Sequence, residues 1–163
     1  MERIGGWMNR GGEMMGEMMG KMSHALTTKE NERREAYCKG GFGLLAVGRG
    51  ESFHVRECRS GRHVLLMTGE RKGYAEEILA AYDTLGDALT EALRGRVSVA
   101  ILDEGRGELI LARGRRGKAI YYGEENGCLV FSSARHGMIL PKFKALPRGA
   151  CKRFHRLKRT VEH

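Results

Sequence analysis

Residues 99–134 read VAILDEGRGELILARGRRGKAIYYGEENGCLVFSSA, and the fold turns on how they are read. Short β-branched and aromatic runs (VSVAIL from Val97, then ELILAR, KAIYY and CLVFSS) alternate with DEGRG, GRRG and GEENG. Apolar runs this short suit strands, and glycine mixed with charge between them marks turns, so the segment predicts an antiparallel meander. Asn126-Gly127 is a hairpin signal, because both residues tolerate positive φ. Four cations, Arg113, Arg115, Arg116 and Lys118, crowd one of these turns. They pose a choice between a solvated turn and a surface for phosphates.

Working outward, YAEEILAAYDTLGDALTEAL places Ile78, Leu79, Tyr82, Leu85, Leu89 and Leu93 near one face of an amphipathic helix, with a kink expected at Gly86. Before it, SFHVREC and RHVLLMTG pair as a hairpin across Arg59 to Arg62, and GFGLLAVGRG reads as a buried strand between glycines. Residues 27–39, TTKENERREAYCK, are polar throughout and read as a helix end running into a loop. Near the start, Met14, Met15, Met18, Met19, Met22 and Leu26 recur at helical intervals behind the short apolar opening Ile4 to Met8. Gly12, Gly16 and Gly20 weaken that helix in isolation, so packing must hold it. Helices on both sides of the strand set predict an α+β sandwich, with apolar strand faces against the helices.

At 163 residues the chain suits one domain. Its 41% hydrophobic and 30% charged residues exclude a disordered polymer. No apolar run approaches the ~20 residues of a membrane helix, and MERIGGWMNR lacks the apolar stretch of a signal peptide, so a cytoplasmic protein is expected. Cys38, Cys58, Cys128 and Cys151 form no C-x-x-C pair and have no histidine at zinc-ligand spacing. They are expected to be free thiols, the six histidines to be surface or satisfied core residues, and no metal or cofactor is expected.

Taken in order, these segments resemble the glutaminase domain of class II glutamine amidotransferases, most closely that of asparagine synthetases. Residues 99–134 resemble the family run F-A-F-A-I-x-D … L-x-L-A-R-D-R-x-G-x-K-P-L-Y-Y … G-x-L-x-F-(A/S)-S-E. MERIGGW resembles M-C-G-I-A-G-W, EEILAAYDTLGDALTEALRG resembles the helix after the family's S-D-T-E, and KALPRG resembles L-P-P-G. The likeness covers residues 1–150 and is thin before Val64, leaving 151–163 as a basic C-terminal tail. It implies an N-terminal-nucleophile-hydrolase-like αββα sandwich of antiparallel sheets with flanking helices. It also implies that the turn with four cations is a strand-turn-strand element of the scaffold.

The family's chemistry is attack on the glutamine side-chain amide by an N-terminal cysteine thiolate, with the α-amino group as base and ammonia as product. The position matching that cysteine is Glu2, a poor nucleophile whose bulk also disfavours removal of Met1. The family's H-R-G-P-D falls near TKENE and its substrate-clamping arginine near Gly43 and Leu44, with no match at either. The oxyanion element N-G-E reads Thr68-Gly69-Glu70, and losing one such donor typically costs about 10²–10³ in rate. The aspartate that holds the substrate amino group falls at Ala75 in Tyr74-Ala75-Glu76-Glu77. Cys38 faintly echoes the family's start, and a cut before it would expose a thiol but discard the Met-rich helix. Ser132 and Ser133 lack a recognisable triad.

These losses lead to the expectation of a domain without glutaminase activity that acts as a partner of a synthetase-like protein or as a homodimer. The first alternative is an active amidohydrolase supplying ammonia to a partner. The second is binding of nucleic acid or another polyanion through Arg113, Arg115, Arg116 and Lys118 together with Lys152, Arg153, Arg156, Lys158 and Arg159, a reading encouraged by the net charge of +9. The tail itself is read first as a frayed, solvated end.

Overall fold

The computed structural model describes residues 3–9, 15–27, 32–39, 41–48, 53–58, 61–68, 74–93, 96–125 and 127–155; the side chains of residues 15–19 and 87 are outside that description. Two antiparallel sheets form, each with central strands that are apolar on both faces. The first is ordered β10 (Lys144–Ala145), β8 (Tyr121–Glu125), β9 (Cys128–Ser132), β1 (Arg3–Asn9), β3 (Phe42–Gly48) and β2 (Arg33–Lys39). The second is ordered β11 (Cys151–His155), β7 (Glu108–Arg113), β6 (Ser98–Asp103), β5 (Gly61–Thr68) and β4 (Phe53–Cys58).

Alternation along each central strand explains the layering. On β5, Val64 and Leu66 enter the core between the sheets while Leu65 and Met67 face the helix α2 (Tyr74–Leu85). On β3, Leu44 and Ala46 join that same inner core, and Leu45 and Val47 pack instead with Met22 and Leu26 of the helix α1 (Met15–Leu26). The order of layers is therefore helix, sheet, sheet, helix: an α+β sandwich. A strand covered on both faces cannot alternate apolar with polar residues, which is why GLLAV and VAIL read as unbroken apolar runs.

Close approach at the centre of the first sheet depends on glycine. Trp7 of β1 is 1% exposed and lies across Gly43 of β3, where a Cβ would fall 2.0 Å from the indole ring. Gly5 lets α1 settle on the strand, since a Cβ there would stand 2.8 Å from Met22 Sδ.

Several expectations hold. The 53–58 and 61–68 hairpin pairs in the expected place, and Gly127 takes a positive φ of 73° in the β8–β9 hairpin, although Asn126 lies outside the described residues. The second helix changes at Gly86, φ 55°, into a 3-10 segment Gly86–Ala92.

Four readings change. Residues 33–39 form a strand and not a loop, β2, paired with β3 along its whole length. As an edge strand with solvent on one side it is free to be polar, and only Tyr37 reaches inward, packing on the inner core and donating to Glu104 Oε2 at 2.6 Å. Leu85 leaves the buried face at 43% exposure, because the switch to 3-10 winding at Gly86 rotates the register. The meander is also split: β6 pairs β7, and β8 pairs β9, but β7 and β8 lie in different sheets. The four-cation segment is therefore a crossing between sheets and not a hairpin. Finally, the basic segment begins as β11, paired with β7 from Cys151↔Ala112 to His155↔Glu108, so the second sheet extends past residue 150.

Adding a methyl group at Gly43 must displace Trp7 or its strand. Gly43→Ala is expected to lower the urea midpoint by an amount equivalent to about 1–3 kcal/mol or more, with an unchanged m-value.

Candidate functional site

The start of β1 is the place to examine, since the resemblance puts the nucleophile one residue before Arg3. Glu2 lies outside the described residues. Arg3 is heavily engaged: its Nε donates to the Leu26 carbonyl at 2.7 Å, ending α1 on a cation, and its guanidinium pairs with Glu32. Both side chains are largely buried, at 14% and 8% exposure. On the other side of the strand Ile4 N–H donates to Ser133 Oγ at 2.9 Å, and Ser133 N–H returns a bond to the Ile4 carbonyl at 2.8 Å. Ser132 Oγ donates to the Ala134 carbonyl and accepts from the Ala134 N–H. Both serines thus serve the backbone.

A chain of contacts leads from here to Thr68, which the resemblance matches to the family's oxyanion element. Lys118 is half-buried, and burial followed by the nearby charge of Arg3 holds its ammonium below the usual lysine range. The Lys118 carbonyl accepts from Ser98 Oγ at 2.5 Å, and Ser98 N–H donates to Thr68 Oγ1 at 3.2 Å. Thr68 donates in turn to the Ser98 carbonyl at 3.4 Å and is 0% exposed. Its hydroxyl is thereby committed to the junction between β5 and β6. Gly69 and Glu70 lie outside the described residues. Ala75 is 5% exposed and packs in the apolar layer between α2 and the second sheet, so its position offers neither charge nor a hydrogen bond to an incoming amine.

Cys38 sits inside β2 opposite Gly43, exposed on the sheet edge, and burial of its sulfur pushes the thiol up from its ordinary value. A cut before it would divide β2 and sever β1, which pairs on both sides with β3 and β9, from the rest of the chain.

Among the described residues, the predicted cations do not assemble into one surface. Arg113 is turned onto its own backbone, with Nε donating to the Gly117 carbonyl at 3.0 Å and Nη1 to the Leu146 carbonyl at 2.9 Å. It locks the crossing between the sheets. Arg153 pairs with Glu108, and Lys152 lies 4.9 Å from the Tyr122 ring centroid. Arg115 and Arg116 do project outward, beside a depression of about 660 Å³ shared with Thr90, Glu91, Leu93 and Gly149. Arg156, Lys158 and Arg159 lie outside the described residues.

At the far end of β5 the structure gathers a polar group that spacing along the chain did not reveal. Cys58, His63, Asp83 and Asp103 come from β4, β5, α2 and β6. Burial, then the charge of Asp83, raises the Cys58 thiol. Burial and the hydrogen bond to Asp103 raise the Tyr82 phenol, keeping it a donor.

Two outcomes follow for the start of β1. Glu32→Gln leaves Arg3 with no charged partner in a largely buried setting and is expected to cost about 3–5 kcal/mol in urea unfolding. Lys118 has a folded pKa below its unfolded one, so its charged form destabilises the protein below the folded pKa, and the penalty fades as pH rises toward about 10.4. Lys118→Met should accordingly raise Tm at neutral pH, with a gain that shrinks in alkaline melts.

Comparison with known sequences bears on what this arrangement is. A sequence model of the glutamine amidotransferase domain matches residues 43–158, from β3 through β11 and well over half of the chain. No curated protein matches the chain. On the strength of that span, this chain belongs to the glutamine amidotransferase domain family.

Proposed function

We propose that this is a class II amidotransferase domain of the N-terminal-nucleophile type, akin to the glutaminase domain of asparagine synthetases, that has lost glutamine hydrolysis and serves as a regulatory or assembly partner of a synthetase-like protein. The helix, sheet, sheet, helix layering suits that class. The observation that carries the loss of activity is the commitment of Thr68. An oxyanion hole needs a donor aimed at open space where charge develops. Here the side chain at that position is sealed and spent on Ser98.

Other features agree. Glu2 stands where the attacking thiol belongs, and an ionised carboxylate has little reactivity toward an amide. Ala75 gives the substrate's ammonium no counter-charge, and its burial among Ile78 and Leu79 is what the helix–sheet contact requires. A partner role is supported by the two sheet ends, β2 and β4, whose mostly exposed strands offer edges to which another chain can add.

Incubation of the full chain with glutamine, with ammonia followed by a coupled dehydrogenase, is expected to give no release above the buffer blank. Thr68→Asn should not restore it. Steady release of ammonia that a thiol alkylator abolishes would overturn the reading in favour of an active amidohydrolase.

A further inference from the structure

We propose that Cys58, His63 and Asp83 form a site for a zinc-like divalent transition-metal ion, bound through one thiolate, one imidazole nitrogen and one carboxylate oxygen with a fourth position open. The site is independent of the amidotransferase pocket.

The β4–β5 hairpin supplies two of the ligands. Its register sets Cys58 opposite Gly61 and Arg56 opposite His63, with the Glu57–Arg62 pair between them, so cysteine and histidine share one face near the hairpin end, the face that Leu65 turns to α2. Asp83, in the last turn of α2, reaches them from above. Cys58 Sγ is 3.6 Å from His63 Nδ1 and 3.9 Å from Asp83 Oδ2, while His63 Nδ1 is 3.4 Å from Asp83 Oδ1. Tetrahedral bonds of about 2.3 Å to sulfur and about 2.0 Å to nitrogen or oxygen place ligand atoms about 3.3–3.6 Å apart. The sulfur–nitrogen distance and the nitrogen–Oδ1 distance thus already match what a metal would impose, within about 0.1 Å, and the three ligand atoms all lie within 4.8 Å of one another.

Histidine supplies a second, independent observation. His63 is 3% exposed, and its Nε2 has no hydrogen-bond partner. That nitrogen stands 3.5 Å from Oδ2 of Asp103, itself 1% exposed and fixed by the Tyr82 hydroxyl at 2.8 Å and the Arg106 N–H at 3.1 Å. Leaving an imidazole nitrogen buried and unpaired is costly. Metal binding at Nδ1 puts the ring proton on Nε2, facing Asp103, which is the carboxylate–histidine–metal relay found behind metal-bound histidines.

Charge and access also fit. Thiolate and carboxylate together balance a divalent ion, and the mixed sulfur, nitrogen and oxygen set favours zinc and its neighbours over magnesium or calcium. Arg56 sits 3.2 Å from Asp83 Oδ2, which leaves Oδ1 for the ion. A cavity of about 100 Å³ opens beside His63 and Asp83, two of the three ligands.

The test uses the full chain without a histidine tag, purified with chelator and reductant and titrated with cobalt(II). The expected result is a single ion per chain, with the strong visible bands of four-coordinate cobalt, a sulfur-to-cobalt charge-transfer band, and loss of both when zinc is added. Cys58→Ser should remove the charge-transfer band, and Asp83→Asn, at a partly exposed helix end, should weaken binding even if the cysteine variant fails to fold. Asp103→Asn should weaken binding by about 10–100-fold through the histidine. Cys38→Ser should change nothing. A pale six-coordinate spectrum without a sulfur band, or wild-type affinity and spectrum in both Cys58→Ser and Asp83→Asn, would overturn the proposal.

Discussion

Everything in the first sheet depends on β1 being clamped between β3 and β9 with its large side chain folded over a neighbour that has none. Trp7 on Gly43 fixes how closely the two strands approach, and Gly5 fixes how closely α1 approaches them. Because interiors are packed to near-crystalline density, such contacts leave little freedom to slide. The position of Arg3 at the strand's start follows from this clamp. So do the Leu26 carbonyl and Glu32 that gather around it.

The large positive charge of the chain is in good part scaffold. Arg3, Arg113 and Arg153 turn inward to carbonyls or carboxylates, each at a point where the chain changes direction or a strand meets an edge. Arg113 is the clearest case: one guanidinium ties the Gly117 carbonyl of the crossing, whose glycine-rich backbone has no ladder of its own, to the Leu146 carbonyl just after β10. A buried cation that satisfies several acceptors is hard to replace. Arg113 is held by carbonyl acceptors, which meets the demand of its donors without a phosphate.

Strands buried on both faces were legible because two-sided burial leaves an unbroken apolar run, as in GLLAV and VAIL. β2 was not, because an edge strand is held by its backbone, and its polar side chains carry no period that distinguishes it from a loop. The crossing at 114–120 was misread for a related reason: a turn signal shows where a strand ends but not which sheet receives the next one. That Glu2, Thr68 and Ala75 differ in type from the family residues whose places they take in the resemblance could be read from the sequence. The Arg3–Glu32 pair, separated by 29 residues, could not. Cys58, His63 and Asp83 escaped notice because their third member arrives from a helix 20 residues after His63.

β5 links the two ends of the domain. Five residues separate His63 from Thr68, and at about 3.3 Å of rise per residue they lie about 17 Å apart on one rigid, fully paired strand. The side chains between them are core, and their packing does not depend on the chemistry at either terminus. At one end of the strand Thr68 bonds to its neighbour through Ser98, while the other end holds the buried polar residues His63 and Asp103. Burying His63 and Asp103 costs free energy that apolar residues would not. In the proposed site a divalent cation on Cys58, His63 and Asp83, with Asp103 behind the histidine, offsets that cost.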